Sequence, residues 1–248
     1  MGFRERQVDG LTSIVILSYN RPENLRRNIE SLYASTNKPF EVILFDNASP
    51  YNETHDLLTE LEGRTRANGN GLVKIVRNNE NVGCSAGRQQ ALTYTRGEFI
   101  VTMDDDMTYK EGWLDALHER LEQDPMIAAA MCKTVFPNGI IQVNGGGYIE
   151  QEHSRLVNFI PLDHYKSEND PQLTDEQDCD WIGGGATIVR RSVAEQVEHK
   201  SKEIYLNGYE DYDYSLQIRK LGYRIVNCPT ATVYHHHFGH DLKESAEL

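Results

Sequence analysis

The sequence predicts an α/β fold, a mostly parallel central sheet flanked by helices on both faces. Three observations point there. Short β-branched runs alternate with segments of helical apolar spacing through the first half of the chain, the pattern of a parallel sheet with right-handed crossovers. Polar residues collect at the carboxyl ends of those runs, where ligands sit in such sheets. No internal repeat, low-complexity tract or linker divides the 248 residues, so a single domain is expected.

The elements follow in order. Thr12 to Ser18 reads as a buried strand, broken by Asn20-Arg21-Pro22, with Pro22 suited to a first helical turn. Glu23 to Ala34 carries Leu25, Ile29, Leu32 and Tyr33 at helical spacing. Phe40 to Phe45 reads as a strand, Glu53 to Leu61 as a helix and Leu72 to Val76 as a third strand. Asn78 to Gly83 is a turn cluster, Ala86 to Thr95 a helix with Gly87 and Arg88 in its first turn, and Glu98 to Met103 a fourth strand. In the second half, Ile127 to Phe136 and Ile140 to Ile149 read as strands around a Pro-Asn-Gly turn. Residues 163–180 are acidic and weakly patterned, which suggests a long mobile loop, expected to act as a lid with Trp181 at its edge. Trp181 to Arg191 holds Gly183, Gly184 and Gly185 before a short strand. Asp211 to Leu221 is an amphipathic helix closed by Gly222, followed by strands at Tyr223 to Cys228 and Ala231 to His237.

Composition narrows the function classes. The net charge of −13 disfavours nucleic acid and anionic lipid as partners. No apolar run reaches the length of a membrane span, and the polar first ten residues lack an apolar leader, which points to the cytoplasm. Cys84, Cys132, Cys179 and Cys228 are widely spaced and read as free thiols.

Five constellations carry chemistry. Asp104-Asp105-Asp106 ends an apolar strand. Three adjacent carboxylates repel unless a cation offsets them, and hard oxygen ligands suit Mg²⁺ or Mn²⁺. In an extended segment Asp104 and Asp106 share a side, although an exposed acidic turn is the plainer reading. Asp46-Asn47-Ala48-Ser49 ends the second strand and could meet a base or ribose, or cap a helix. Asn79 to Arg88 turns into a helix whose N-terminus favours an anion, and Arg88 offers a fork to phosphate or a surface ion pair. Tyr209-Glu210-Asp211-Tyr212-Asp213 opens the late helix, where a carboxylate can serve as general base or only offset the helix dipole. In His235-His236-His237, the first and third share a strand face and can complete a metal site. The glycine-rich fingerprint of dinucleotide-binding folds is absent after the first strand, against a dehydrogenase.

Assembled in this order, the chain resembles a family 2 glycosyltransferase of the nucleotide-diphospho-sugar transferase (GT-A) fold, with two abutting Rossmann-like halves. The resemblance runs over about residues 11–240 and is carried by SIVILSYNRPENL, EVILFDNAS, NNENVGCSAGRQQAL, FIVTMDDDM, WIGGGATIVRR, GYEDYDYSLQIRKLGYRI and ATVYHHH. It implies a nucleotide-binding half at about 11–107 and an acceptor and catalytic half at about 108–240. Ser18, Tyr19, Asn20, Arg21 and Pro22 would line the nucleotide pocket, with Asp46 on the base and Asn47, Asn81, Gly83 and Arg88 nearby. Asp104 and Asp105 would face the donor, and Asp106 with His235 or His237 would hold the metal. Trp181 and Gly183 to Gly185 would lie under donor sugar and acceptor, with Asp211 as base and Glu210 beside it. The implied reaction is an inverting, metal-dependent transfer from a nucleotide sugar, UDP foremost, to an unknown acceptor. A sugar nucleotidyltransferase and a non-catalytic nucleotide-sugar-binding module are the alternatives.

Overall fold

A computed structural model describes residues 6–67, 69–150, 157–199 and 209–236. In chain order the elements are β1 (Val8–Ser18), α1 (Pro22–Ser35), β2 (Phe40–Asp46), α2 (Asn52–Leu61), β3 (Leu72–Arg77), α3 (Cys84–Leu92) and β4 (Gly97–Asp104). There follow β5 (Met107–Tyr109), α4 (Trp113–Gln123), β6 (Ile127–Val135), β7 (Ile141–Val143), β8 (Gly146–Glu150) and β9 (Val157–Pro161). The chain closes with β10 (Thr187–Arg190), α5 (Arg191–Ala194), α6 (Glu210–Lys220) and β11 (Arg224–His235). Among the described residues no helix is long and apolar enough to cross a membrane.

The main sheet has the order β3-β2-β1-β4-β10-β6-β11-β5, with β7 pairing β6. Strands β3, β2, β1 and β4 are parallel, as the alternation predicts, and β2 is buried at every position, as a strand covered on both faces must be. Helix α1 presents Leu25, Ile29 and Leu32 to the core, and Pro22 occupies its first turn, where the missing N–H is no loss. One core cluster joins α1, α2 and α4 to one face of the sheet. A second, built on Val15, Phe45, Met131 and Ile218, covers the other.

The sheet is parallel through its first half, as expected, and mixed in its second, where β10 runs antiparallel to both β4 and β6. The chain enters β10 from the edge where β4 and β6 end, so only an antiparallel course is open to it. The two expected strands after α6 are one, β11, whose register against β6 shifts between Cys228 and Thr232. A bulge there accommodates Pro229, which cannot donate to the ladder. Helix α3 starts at Cys84, so Gly87 closes its first turn and Arg88 lies just past it. Residues 163–180, expected as a mobile loop, are tied to the body at several points. The Asp163 carboxylate accepts hydrogen bonds from Asn144, Lys166 and both the backbone N–H and hydroxyl of Thr174. Bridges Ile140–Ser167 and Asp178–Val226 hold the segment near either end.

Candidate active site

The carboxyl ends of β1, β2 and β4 carry Ser18, Asp46 and Asp104, and the amino end of β10 reaches the same edge. There a cleft of about 500 Å³ is lined by Leu17, Ser18, Tyr19, Arg21, Asn47, Asn81, Gly83, Cys84, Asp104, Asp105, Asp106 and His235. The volume is in the range of small-molecule sites. Its walls are built locally. Asn47 donates to Asn81 Oδ1 (2.8 Å) and to the Gly83 carbonyl (3.2 Å), and accepts from Val82 N–H (3.1 Å), so it ties the turn before α3 to the end of β2. Gly83 takes φ +82° as it caps α3, a conformation that favours glycine. Gly87 lets α3 close on β1, because a Cβ there would stand 2.8 Å from Leu17 Cδ1.

The three aspartates diverge. Asp105 turns inward and accepts from Ser18 Oγ at 2.9 Å, and burial pushes its carboxyl up to about 7 despite Arg21 beside it. Asp104 meets the Arg88 guanidinium, Nη2 to Oδ1, at 3.0 Å. The other nitrogen of that guanidinium, Nη1, donates to Asp211 Oδ1 at 3.2 Å. Arg88 is 4% exposed, so one buried cation bridges the end of β4 and the first turn of α6. Burial holds the Asp211 carboxyl above the usual carboxylate range, while Arg88 and a hydrogen bond from the Gly184 backbone pull it down. The glycines make room for this bridge. A Cβ on Gly184 would collide with Arg88 Nη1 and Asp211 Oδ1, and one on Gly185 would stand 2.6 Å from Asp104 Oδ2.

Asp106 faces His235, with Oδ1 and Nε2 3.0 Å apart, while Arg21 Nη1 donates to its other oxygen at 2.9 Å. His235 Nδ1 lies 2.7 Å from Gln142 Oε1. With Nδ1 donating to that acceptor, the close approach of Nε2 to the buried Asp106 Oδ1 calls for a proton or a cation between them. The same pairing depresses the Asp106 carboxyl and raises the His235 imidazole, each against the penalty of burial. Carboxylate oxygen and imidazole nitrogen fit Mn²⁺ or Mg²⁺. Among the described residues no group of three His, Cys, Asp or Glu side chains surrounds one point.

The remaining expected residues divide. Asn20 adopts φ +58°, and its N–H donates to Ser49 Oγ at 2.9 Å, which shapes the turn between Tyr19 and Pro22. Asp46 is fully buried and spends its carboxylate on Ser49 N–H, Ser49 Oγ and Arg77 Nε. It shapes the loop and leaves Asn47 to face the cleft. Arg88, expected to grip phosphate, is engaged by its two carboxylates. Trp181, expected as a platform, is 7% exposed, and its indole N–H donates to the Gly147 carbonyl at 2.9 Å. Gly183 N–H points to Met131 Sδ at 3.2 Å. Glu210 stands beside Asp211 at the start of α6. His236 turns away to Thr108, and His237 lies outside the described residues. Sequence reasoning missed Gln142, whose role shows only where β7 passes His235, and Arg77, which ends β3 beside Asp46 and pairs with its carboxylate.

The family model described as glycosyl transferase family 2 matches residues 13–197. The chain is 27% identical over 233 residues to the O-antigen biosynthesis protein RfbC of Myxococcus xanthus, an alignment that takes in 90% of this chain and 17% of RfbC. It is 24% identical over 238 residues to an N-acetylglucosaminyl-diphospho-decaprenol L-rhamnosyltransferase of Mycobacterium tuberculosis, covering 90% of this chain and 75% of that protein. Among solved structures, GalNAc-T7 with UDP, GalNAc and Mn²⁺ superposes with a TM-score of 0.70 at 21% identity, over 92% of this chain and 44% of that one. The fold is thus the GT-A fold, and the chain spans a small fraction of RfbC and under half of GalNAc-T7.

Proposed function

The chain belongs to glycosyl transferase family 2, and from that premise we propose that it transfers a sugar from a nucleoside diphosphate sugar to an acceptor hydroxyl with inversion at the anomeric carbon. The observation that carries this reading is the Asp104–Arg88–Asp211 bridge, which sets a carboxylate that can take a proton beside the donor cleft. In this reading the acceptor oxygen attacks the anomeric carbon as the bond to the diphosphate oxygen breaks. Asp211 takes the acceptor proton, and its raised affinity for protons suits that task. Arg88 holds Asp211 and Asp104 in register. Ser18, Tyr19, Arg21 and Asn47 wall the nucleotide side, and Gly184 and Gly185 let the chain close on the Arg88 bridge, beside which the sugar would lie. Asp106 and His235, with His237 as the alternative ligand, would hold a divalent cation, which would neutralise charge on the diphosphate when bound.

We favour UDP, which GalNAc-T7 binds, over dTDP and GDP. The division into a nucleotide-binding half at about 11–107 and an acceptor half at about 108–240 is part of the same proposal. The test separates chemistry from binding. Asp211→Asn keeps size but cannot accept the proton, so turnover should fall roughly 10²-fold or more while donor affinity stays within a few-fold. Release of nucleoside diphosphate in a transfer assay and calorimetry of donor binding read the two quantities. Turnover near wild type would remove Asp211 from the role of base.

A further inference from the structure

Next to Asp211 lies an aromatic group that the steps above leave unused. Tyr212 stacks on Phe159 with ring centroids 3.7 Å apart and planes at 19°. Trp181 meets both rings edge-on, 4.9 Å from Tyr212 and 6.5 Å from Phe159. These contacts fix the Tyr212 ring between the β8–β9 ribbon and α6. Tyr209 extends the group, 5.8 Å from Tyr212, and is 64% exposed. It caps α6 with φ +65°, a left-handed conformation that bulky side chains disfavour. A large ring held at such a position, with most of its surface in water, is not explained by packing.

A second observation sits one residue on. Glu210 Oε2 is buried and has no hydrogen-bond partner among the described residues. A buried carboxylate oxygen without a donor is costly, and a ligand hydroxyl would satisfy it. The neighbouring carboxylates have protein partners: Asp211 has Arg88, Asp213 has Gln217 and Asp180 has Arg219.

Resting on the reading of Asp211 as base, we propose that Tyr209, Tyr212 and Glu210 form the acceptor subsite and that the acceptor presents a sugar ring there. A pyranose has an apolar C–H face to lie on Tyr209 and Tyr212. It also has adjacent hydroxyls, one to donate to Glu210 Oε2 while the next faces Asp211. The proton of that second hydroxyl goes to Asp211, its oxygen forms the new bond to the anomeric carbon, and the nucleoside diphosphate leaves with the electrons of the broken bond. A serine or threonine acceptor has one hydroxyl and no ring face. A phosphate-bearing group would meet Asp180, Glu210, Asp211 and Asp213 and be repelled. Whether the ring stands on a free glycan or at the end of a lipid carrier, the recognition is the same.

The experiment is saturation-transfer NMR on the full chain with UDP and Mg²⁺ present, using methyl glycosides of glucose, galactose, N-acetylglucosamine and rhamnose, their octyl glycosides, and a Ser/Thr-rich peptide. At least one methyl glycoside should receive saturation on its ring protons. Tyr209→Ala should weaken it roughly three- to tenfold, and Glu210→Gln should weaken it as well. Tyr165→Ala, at a tyrosine 73% exposed elsewhere on the surface, should leave it unchanged. Tighter octyl than methyl glycosides would mark a lipid carrier, and equal binding a free glycan. Both support the ring. Binding of the peptide without any glycoside, binding of neither while UDP is held, or glycoside binding indifferent to both subsite variants overturns the proposal. Failure of the enzymatic reading looks different, because calorimetry would then find no UDP binding at all.

Discussion

Arg88 shows how much one buried side chain can organise. Its guanidinium has no water to face, so its charge must be matched by Asp104 and Asp211, which come from elements 16 and 123 residues away in sequence. The groups around the Asp211 carboxyl are Arg88 from α3, Asp104 from β4, Glu210 from α6 and the Gly184 N–H. Burial outweighs Arg88 there, so the acid limb of kcat should lie above the usual carboxylate range, with rate rising as pH rises through it. Arg88→Gln removes the one opposing cation and should move that limb to still higher pH. A limb that stays put would detach the rate from Asp211. His199 offers a separate check on stability. Its ring stacks on Tyr214 with centroids 4.2 Å apart, and burial, with Arg88 nearby, pushes it down from 6.5 to about 3. The unfolded chain therefore binds this proton from about pH 6.5 downward, while the folded chain refuses it until about 3. The associated stability is complete above the upper value and drains away as pH falls toward the lower. Chemical denaturation at pH 7 and pH 4 should show a smaller loss for His199→Gln than for wild type. Equal losses would clear His199 of any part in acid unfolding.

Among the elements, the segment Gly183 to Ala186 is where local sequence and site geometry meet. Thr102 and Thr187 hydroxyls hold the Gly184 and Gly183 carbonyls, each at 2.5 Å. The chain is thereby pressed against Arg88 and Asp211 before it turns down into β10. Gly184→Ala should lower turnover roughly 10²-fold or more, the scale expected when a positioned base is displaced. Gly139→Ala, in the distant turn after β6, should leave turnover intact, since the nearest atom to its Cβ is a flexible Glu168 oxygen at 3.5 Å. The control will be somewhat less stable because Gly139 has φ +81°. A transfer assay on both, with melting temperatures in parallel, separates loss of geometry from loss of fold. Helix α4 is legible in the sequence as well. Trp113, Leu114, Leu117 and Leu121 repeat at helical spacing and are all fully buried.

For the whole molecule, the net charge of −13 sets a problem for any diphosphate ligand. The cleft itself adds Asp104, Asp105 and Asp106 against Arg21. Without a bridging cation, a doubly negative group would be repelled by this negative field. UDP binding should therefore be strong with Mn²⁺ or Mg²⁺ and fall at least tenfold in EDTA. Asp106→Ala should lose the metal-dependent part while its circular dichroism stays native. Titration calorimetry with and without chelator decides this, and equal affinity in both would rule out the bridge between Asp106 and His235.

What this sequence determined by itself was local. Periodicity marked β1, β2 and β4 and the helices between them, because a strand or helix buried on a known face needs only its own apolar spacing. The acidic triplet at the end of β4 and the Glu210–Asp211 pair at the start of α6 were legible for the same reason, as charges placed where an element stops. The tertiary structure decided which of those charges meet. Alternation along a strand puts neighbours on opposite sides, so Asp46 went inward to Ser49 and Arg77 while Asn47 reached the cleft. Trp181 lost its platform role to the backbone of Gly146 and Gly147, which only the packing of β8 brings close. Arg88 was taken by Asp211, and His235 by Gln142 and Asp106. Such pairings depend on distance in space between segments far apart in the chain, which no spacing within one segment encodes.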